Sequence, residues 1–146
     1  MEKIVLGIWV IVLWIQTICD IKWKRIPMII TVVGVVAGIF YCLMTQRNWV
    51  DILWAVAPGI FCLLYSKISN ETLGYGDGLL LCAMGLYLEV EHILFIAMLA
   101  FGLAGIGGLV LVVFFHKKRN DEIPFVPFLL AAFLVDIVIQ IGEHYG

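Results

Sequence analysis

The sequence contains few charged residues. Asp, Glu, Lys and Arg make up 14% of its 146 residues, whereas apolar residues make up 64% and the mean hydropathy is +1.10. Soluble domains contain about half apolar residues, and so short a chain cannot bury this much apolar surface in one core. The net charge of −2 gives no indication of a nucleic-acid partner. The sequence therefore predicts an integral membrane protein.

The sequence also lacks paired cysteines and clustered histidines. The four cysteines stand singly in apolar runs, at Cys19, Cys42, Cys62 and Cys82, and the three histidines are dispersed, at His92, His116 and His144. Without C-x-x-C spacing, a zinc site or redox pair is not expected. We therefore predict no metal and no cofactor. No A-x-A cleavage site follows the first apolar run, which predicts a retained first helix.

Six apolar windows predict an all-α membrane bundle in one domain, residues 1–146. The windows cover 4–20, 28–46, 51–67, 78–88, 93–115 and a stretch from "IPFVPF" to about 142. Asp51 is a plausible N-cap for the third helix, and Pro124 and Pro127 suit the first turn of the sixth. The fourth window is shorter than the roughly 17 residues that cross hydrocarbon, so a re-entrant hairpin is the alternative.

The basic residues favour six spans. With the N-terminus outside, the loops 21–27, 68–77 and 116–123 share one side. Those loops and their edges hold seven of the nine basic residues, namely Lys22, Lys24, Arg25, Lys67, Lys117, Lys118 and Arg119, and the other side holds Lys3 and Arg47. The positive-inside tendency then makes the first, third and fifth loops cytoplasmic.

Two aspartates arrive at the same depth under this topology. Asp20 ends the first helix, which runs inward, and Asp77 begins the fourth, which runs outward, so both lie near the cytoplasmic edge. Two neighbouring carboxyl groups tend to share one proton. One can then activate water while the other polarises a peptide carbonyl. In the simpler interpretation, Asp20 pairs with Lys22 or Lys24, and Asp77 only caps its helix.

Other polar and small residues have simpler interpretations. Asp136 lies in the middle of the sixth helix, where a charge is costly, and we interpret it as a protonated, hydrogen-bonded structural residue or an interface residue. Small-residue spacings predict close helix contacts, within the chain or between subunits of a homo-oligomer. They involve Gly34 with Gly38, and Gly102, Gly105 and Gly108.

Three blocks resemble the type IV prepilin peptidases, which are membrane aspartic proteases. "GYGD" at 74–77 resembles their G-x-G-D motif, and "DIKWKRIP" from Asp20 resembles the block of their first catalytic aspartate. "EIPFVPFLLA" at 122–131 resembles a third block that opens the last helix. The resemblance implies that Asp20 and Asp77 are catalytic and that Gly74 and Gly76 shape an active-site loop. Such glycines permit unusual backbone conformations and close approach of another chain.

The resemblance also implies a substrate and a location. It implies cleavage of the class III leader of a prepilin or pseudopilin at the cytoplasmic face of the inner membrane, in contact with lipid and without a cofactor. Met28 and Leu79 depart from the family pattern, which often has Asn and Lys there. The chain resembles the short forms of Tad/Flp-type systems, because no N-terminal zinc and methyltransferase extension is present.

Three other functions compete with this interpretation. A catalytically idle scaffold subunit of a pilus or secretion machine would keep the helices without needing both acids. A transporter would need more midplane polar groups, and a lipoprotein-type signal peptidase acts on the outer face.

Overall fold

The computed structural model describes residues 2–23, 27–68, 74–115 and 124–145. These residues form helices and no strand. The helices are α1 (Glu2–Trp23), α2 (Met28–Thr45), α3 (Trp49–Ile68), α4 (Tyr75–Gly85), α5 (Val90–Phe115) and α6 (Val126–Tyr145). The prediction of an all-helical fold with six helices is confirmed.

Local signals set several helix ends. Pro27 precedes α2 with a φ of −66°, and its carbonyl accepts from the N–H of Ile30. Gln46 ends α2 in the left-handed conformation, with a φ of 49°, and its N–H donates to the Cys42 carbonyl. The N-cap prediction for Asp51 is wrong, because α3 begins at Trp49 and Asp51 lies in its first turn. The prediction of a first-turn position is wrong for Pro124, which precedes α6, and is confirmed for Pro127, which lies in its first turn.

Four helices are long and apolar enough to cross a membrane: Ile4–Trp23, Met28–Thr45, Trp49–Ile68 and Val90–Val110. A shorter apolar stretch covers Val126–Gly142, and α4 has only 11 residues. The chain is therefore a multi-pass membrane protein. The six crossings and their sidedness stay predictions. Many of the basic residues behind them, including those at 24–25 and 117–119, lie outside the described residues.

The short helix α4 is the centre of the bundle. It packs against α2, α3 and α5, and Leu80, Leu81 and Met84 are completely buried. Eight of its eleven residues are buried, so α4 does not show the one-sided pattern of a surface helix. A helix enclosed in this way is stabilised by its neighbours despite its length.

Close backbone contact joins α3 to α4. A Cβ atom on Gly59 would collide with the backbone of Cys82, and one on Gly85 would collide with the backbone of Ala55. The predicted contact at Gly38 is also present, since a Cβ there would lie 2.8 Å from Leu86. A Cβ on Gly102 or Gly105 would meet nothing within 4 Å. Their predicted close contacts are therefore not made among the described residues.

Arg47 holds the far end of α4. Its guanidinium donates to the carbonyls of Leu86 and Leu88, at 3.2 and 2.8 Å, and the Cys42 thiol also donates to the Leu86 carbonyl. These donors satisfy carbonyls that a helix end leaves without intrahelical partners. The position of α4 is thus fixed at this end by hydrogen bonds from α2 and the loop that follows it.

Candidate active site

Asp20 projects from the last turn of α1 towards the start of α6. Its side chain is 7% exposed, and its Oδ2 accepts a hydrogen bond of 3.1 Å from the backbone N–H of Val126. Val126 is the first residue of α6, so this N–H has no acceptor within its own helix. The N-terminal end of a helix also attracts a carboxylate electrostatically. The third sequence block therefore supplies a backbone donor to the first aspartate.

Asp77 lies in the first turn of α4. The helix begins at Tyr75, with Gly74 as the N-cap residue, so Asp77 is the third helical residue and does not cap the helix as the simpler interpretation proposed. Its N–H donates to the Gly74 carbonyl at 3.0 Å. The side chain is 8% exposed, and its Oδ1 is buried with no hydrogen-bond partner among the described residues. Buried carboxylate oxygens are normally paired, so this oxygen is an unused acceptor among the described residues.

The fold brings the two carboxyl groups close enough to interact electrostatically. Asp20 is carried by α1, which packs mainly against α6, whereas Asp77 is carried by α4 inside the bundle. The two acids thus meet where separate parts of the bundle adjoin. Two buried carboxyl groups that influence each other can share one proton and act as an acid and a base.

Gly74 allows the Asp77 carboxyl group to fold back over the start of α4. A Cβ atom on Gly74 would lie 2.8 Å from Oδ2 of Asp77. The φ of Gly74 is −59°, and no glycine among the described residues has a positive φ. The expectation of an unusual backbone conformation is therefore wrong for Gly74. A glycine fits here because a Cβ atom would crowd the carboxyl group of Asp77. Gly76 occupies the second position of α4.

The two departures from the family pattern lie at the starts of α2 and α4. Met28 is the first residue of α2 and is half exposed, and Leu79 is partly buried in α4 beyond Asp77. Neither position carries one of the paired carboxyl groups. The loop residues 24–26 and 69–73, which flank the pair in sequence, lie outside the described residues.

A second polar cluster, which the sequence did not predict, joins α5 to α6. Asp136 is 3% exposed, and its Oδ1 lies 3.0 Å from Nδ1 of His92, while Nε2 of Gln140 donates to its Oδ2 at 2.8 Å. The interpretation of Asp136 as hydrogen-bonded is confirmed. His92 follows the α4–α5 connection and so lies at the end of the bundle opposite to Asp77. This cluster is therefore separate from the aspartate pair.

No group of three or more His, Cys, Asp or Glu side chains in the described ranges is placed to hold a metal ion. The four cysteines are free, and three of them are buried.

Comparison with known proteins identifies the family. A sequence model of the type IV leader peptidase family matches residues 4–113, which is more than half of the chain and includes both aspartates. The chain belongs to the type IV leader peptidase family. Membership implies a peptidase, and therefore a hydrolase, in a multi-pass membrane protein. Comparisons with curated proteins and with solved structures found no match.

Proposed function

We propose that this protein is a membrane aspartic endopeptidase that removes the leader of a prepilin or pseudopilin precursor at the cytoplasmic face of the inner membrane. The observation that carries the proposal is the buried pair Asp20 and Asp77, brought together by α1 and α4. Membership of the leader peptidase family supports the reaction class.

The proposed mechanism uses one shared proton. One carboxylate takes a proton from a water molecule, which attacks the carbonyl carbon of the scissile peptide bond. The protonated partner donates a hydrogen bond to the carbonyl oxygen and stabilises the developing charge. When the tetrahedral intermediate collapses, the C–N bond breaks and the leaving nitrogen takes a proton from the pair. The free carboxyl and amino termini of the two products account for the added water.

The two aspartates differ in their hydrogen-bond environments, which suits them to different parts of this proposed reaction. The N–H of Val126 holds Asp20 in one orientation. The unpartnered Oδ1 of Asp77 is available to accept a hydrogen bond from water or from a peptide N–H. Gly74 and Gly76 are proposed to let the substrate backbone approach Asp77, since neither carries a side chain.

The test is co-expression with a candidate prepilin, with leader removal followed by gel shift. The wild type is compared with Asp20→Asn and Asp77→Asn, which keep side-chain size and remove the ionisable group. Asp51→Asn is the matched control, because Asp51 is an exposed aspartate in the first turn of α3. Immunoblotting of membranes establishes equal amounts of each variant.

We expect the wild type and Asp51→Asn to cleave, and both active-site variants to accumulate uncut precursor. Loss of either half of a catalytic pair costs on the order of a thousandfold or more in rate. Persistent cleavage by Asp20→Asn or Asp77→Asn would contradict the catalytic role of that aspartate. Absence of cleavage by the wild type would favour the alternative of an idle scaffold subunit in a pilus or secretion machine.

A further inference from the structure

An apolar groove of about 690 Å³ lies between α1 and α2. Its walls include Trp9 and Val12 of α1, and Gly34, Ala37 and Phe40 of α2. The two helices are consecutive in the chain, yet α1 packs mainly against α6 and α2 against α4. Ile8, Val33 and Phe40, which line the groove, are exposed, so the groove opens at the side of the bundle.

We infer that this groove binds the hydrophobic helix of the precursor and directs the peptide before that helix to the aspartate pair. The inference rests on the proposed function, because the occupant is the substrate of that reaction. The helix would enter sideways from the membrane and lie between α1 and α2 while its leader is cut.

The groove ends about one turn of α1 before Asp20. Gln16 lines it and lies four residues before Asp20, so the two side chains share one face of α1. Thr31, near the start of α2, also lines the groove, and Nε2 of Gln16 donates to its Oγ1 at 3.2 Å. A chain that leaves the groove at this polar end is one helical turn from the carboxyl group of Asp20.

The dimensions fit a membrane helix. On α2 the groove runs from Ile29 to Met44, which is roughly 22 Å at the rise of an α-helix, against about 30 Å for the whole hydrocarbon layer. Gly34 and Ala37 form part of its floor, and small residues allow the backbone of a second helix to approach closely. The groove thus covers most of the length of one apolar segment.

The polar end favours a polypeptide over a lipid chain. Oε1 of Gln16 is buried and has no hydrogen-bond partner among the described residues. A buried carbonyl without a hydrogen-bond partner is unfavourable, because it has lost its hydrogen bonds to water. A polypeptide that unwinds before its scissile bond presents free N–H groups, which a small rotation of the Gln16 side chain can reach. An acyl chain has no donor.

Site-specific photocrosslinking tests the occupant. In the Asp77→Asn background, which keeps the precursor uncut, Phe40 is replaced by benzoylphenylalanine. Phe61 is the matched control, because it is also an exposed phenylalanine, on α3 and away from the groove. After irradiation of membranes, adducts with the precursor are separated by size, and the attached segment is identified by mass spectrometry.

We expect an adduct with the hydrophobic segment of the precursor from position 40 and none from position 61. Equal adducts from both positions, or adducts with lipid alone, would overturn the inference. Cleavage by the wild type is measured in parallel. Cleavage by the wild type without an adduct at position 40 would contradict docking in the groove and support the peptidase function. An adduct at position 40 without cleavage by the wild type would contradict the peptidase function and support docking in the groove.

Filling the groove provides a kinetic test. Ala37→Trp places a large side chain on the groove floor, and Val36→Trp places it on an exposed position of the same helix outside the groove. We expect Ala37→Trp to raise KM for the full precursor roughly tenfold, as overpacking of a contact surface does. It should impair cleavage of a short leader peptide without the hydrophobic segment much less than cleavage of the full precursor. Equal KM values for the two tryptophan variants, or equal loss on both substrates, would contradict substrate docking here.

Discussion

At the scale of single residues, the hydrogen-bond partners of each buried aspartate distinguish a structural role from a role in binding. Asp136 is as deeply buried as Asp20 and Asp77, but His92 and Gln140 occupy both of its carboxyl oxygens. Asp77 keeps one oxygen without a partner among the described residues. A carboxyl group with both oxygens hydrogen-bonded to side chains is suited to structural support. A carboxyl group with an oxygen that has no partner is suited to bind water or substrate.

Gly74→Ala is predicted to reduce activity while leaving the fold intact. The added Cβ would lie 2.8 Å from Oδ2 of Asp77, so the carboxyl group must move by a few tenths of an ångström. Displacement of a catalytic group on this scale costs roughly ten- to a hundredfold in rate. Leader cleavage and thermal stability in detergent are both measured, with Gly7→Ala as control, because a Cβ there meets nothing within 4 Å. Full activity of Gly74→Ala would show that the carboxyl group tolerates the shift.

At the scale of helices, the start of α6 supports the end of α1 through one hydrogen bond. Val126→Pro removes the donor, and proline is well tolerated at the first position of a helix. Hydrogen bonds to charged groups contribute about 1.5–3 kcal/mol, so cleavage should fall at least tenfold below that of Val126→Ala. The alanine variant is the reference, because it loses the same buried side chain and keeps the N–H. Equal cleavage rates in the two variants would contradict a positioning role for this bond.

The contact between α3 and α4 depends on glycine. Gly85→Ala should lower the melting temperature, since its Cβ would collide with the carbonyl of Ala55 and separate the helices. Overpacking of this kind costs about 1–3 kcal/mol. Gly102→Ala, with open space around its Cβ, should melt at or slightly above the wild-type temperature, because alanine favours the helix. The same melting temperature for both variants would place the close α3–α4 approach in doubt.

At the scale of the whole molecule, the sidedness can be tested at the two ends of α3. Asn48 precedes this helix and Lys67 lies in its last turn, and both are exposed. Since Lys67 is at the end that carries the aspartate pair, we predict that it faces the cytoplasm. A membrane-impermeant maleimide should label Asn48→Cys in intact cells and Lys67→Cys only after permeabilisation. Parental protein measures the background from the native cysteines. The reverse pattern would place the aspartate pair on the outer face.

The sequence was sufficient to predict where the helices lie along the chain and at which end of a helix a residue stands. Reading apolar windows located six helices to within a few residues at most ends. The opposite directions of the first and fourth windows predicted that Asp20 and Asp77 lie at one end of the bundle, and the structure brings the two carboxyl groups within electrostatic range of each other.

The sequence did not predict the contacts between helices that depend on the rotation of each helix about its axis. The pairing of His92 with Asp136 and the backbone contact of Gly85 with α3 were missed for this reason. A helix that is apolar all round, such as α4, has no polar face from which to infer its orientation. The bond from Val126 to Asp20 was missed because backbone donors are the same for nearly every residue.

The hydrogen bond from Val126 to Asp20 relates the order of synthesis to the assembly of the aspartate pair. The ribosome makes α1 early and α6 last among the six helices, and the N–H of Val126 reaches Asp20 only once α6 has taken its place in the bundle. A nascent chain that already holds both acids therefore still lacks the group that orients one of them. On the proposed function, the aspartate pair is therefore complete only after the last helix has been inserted.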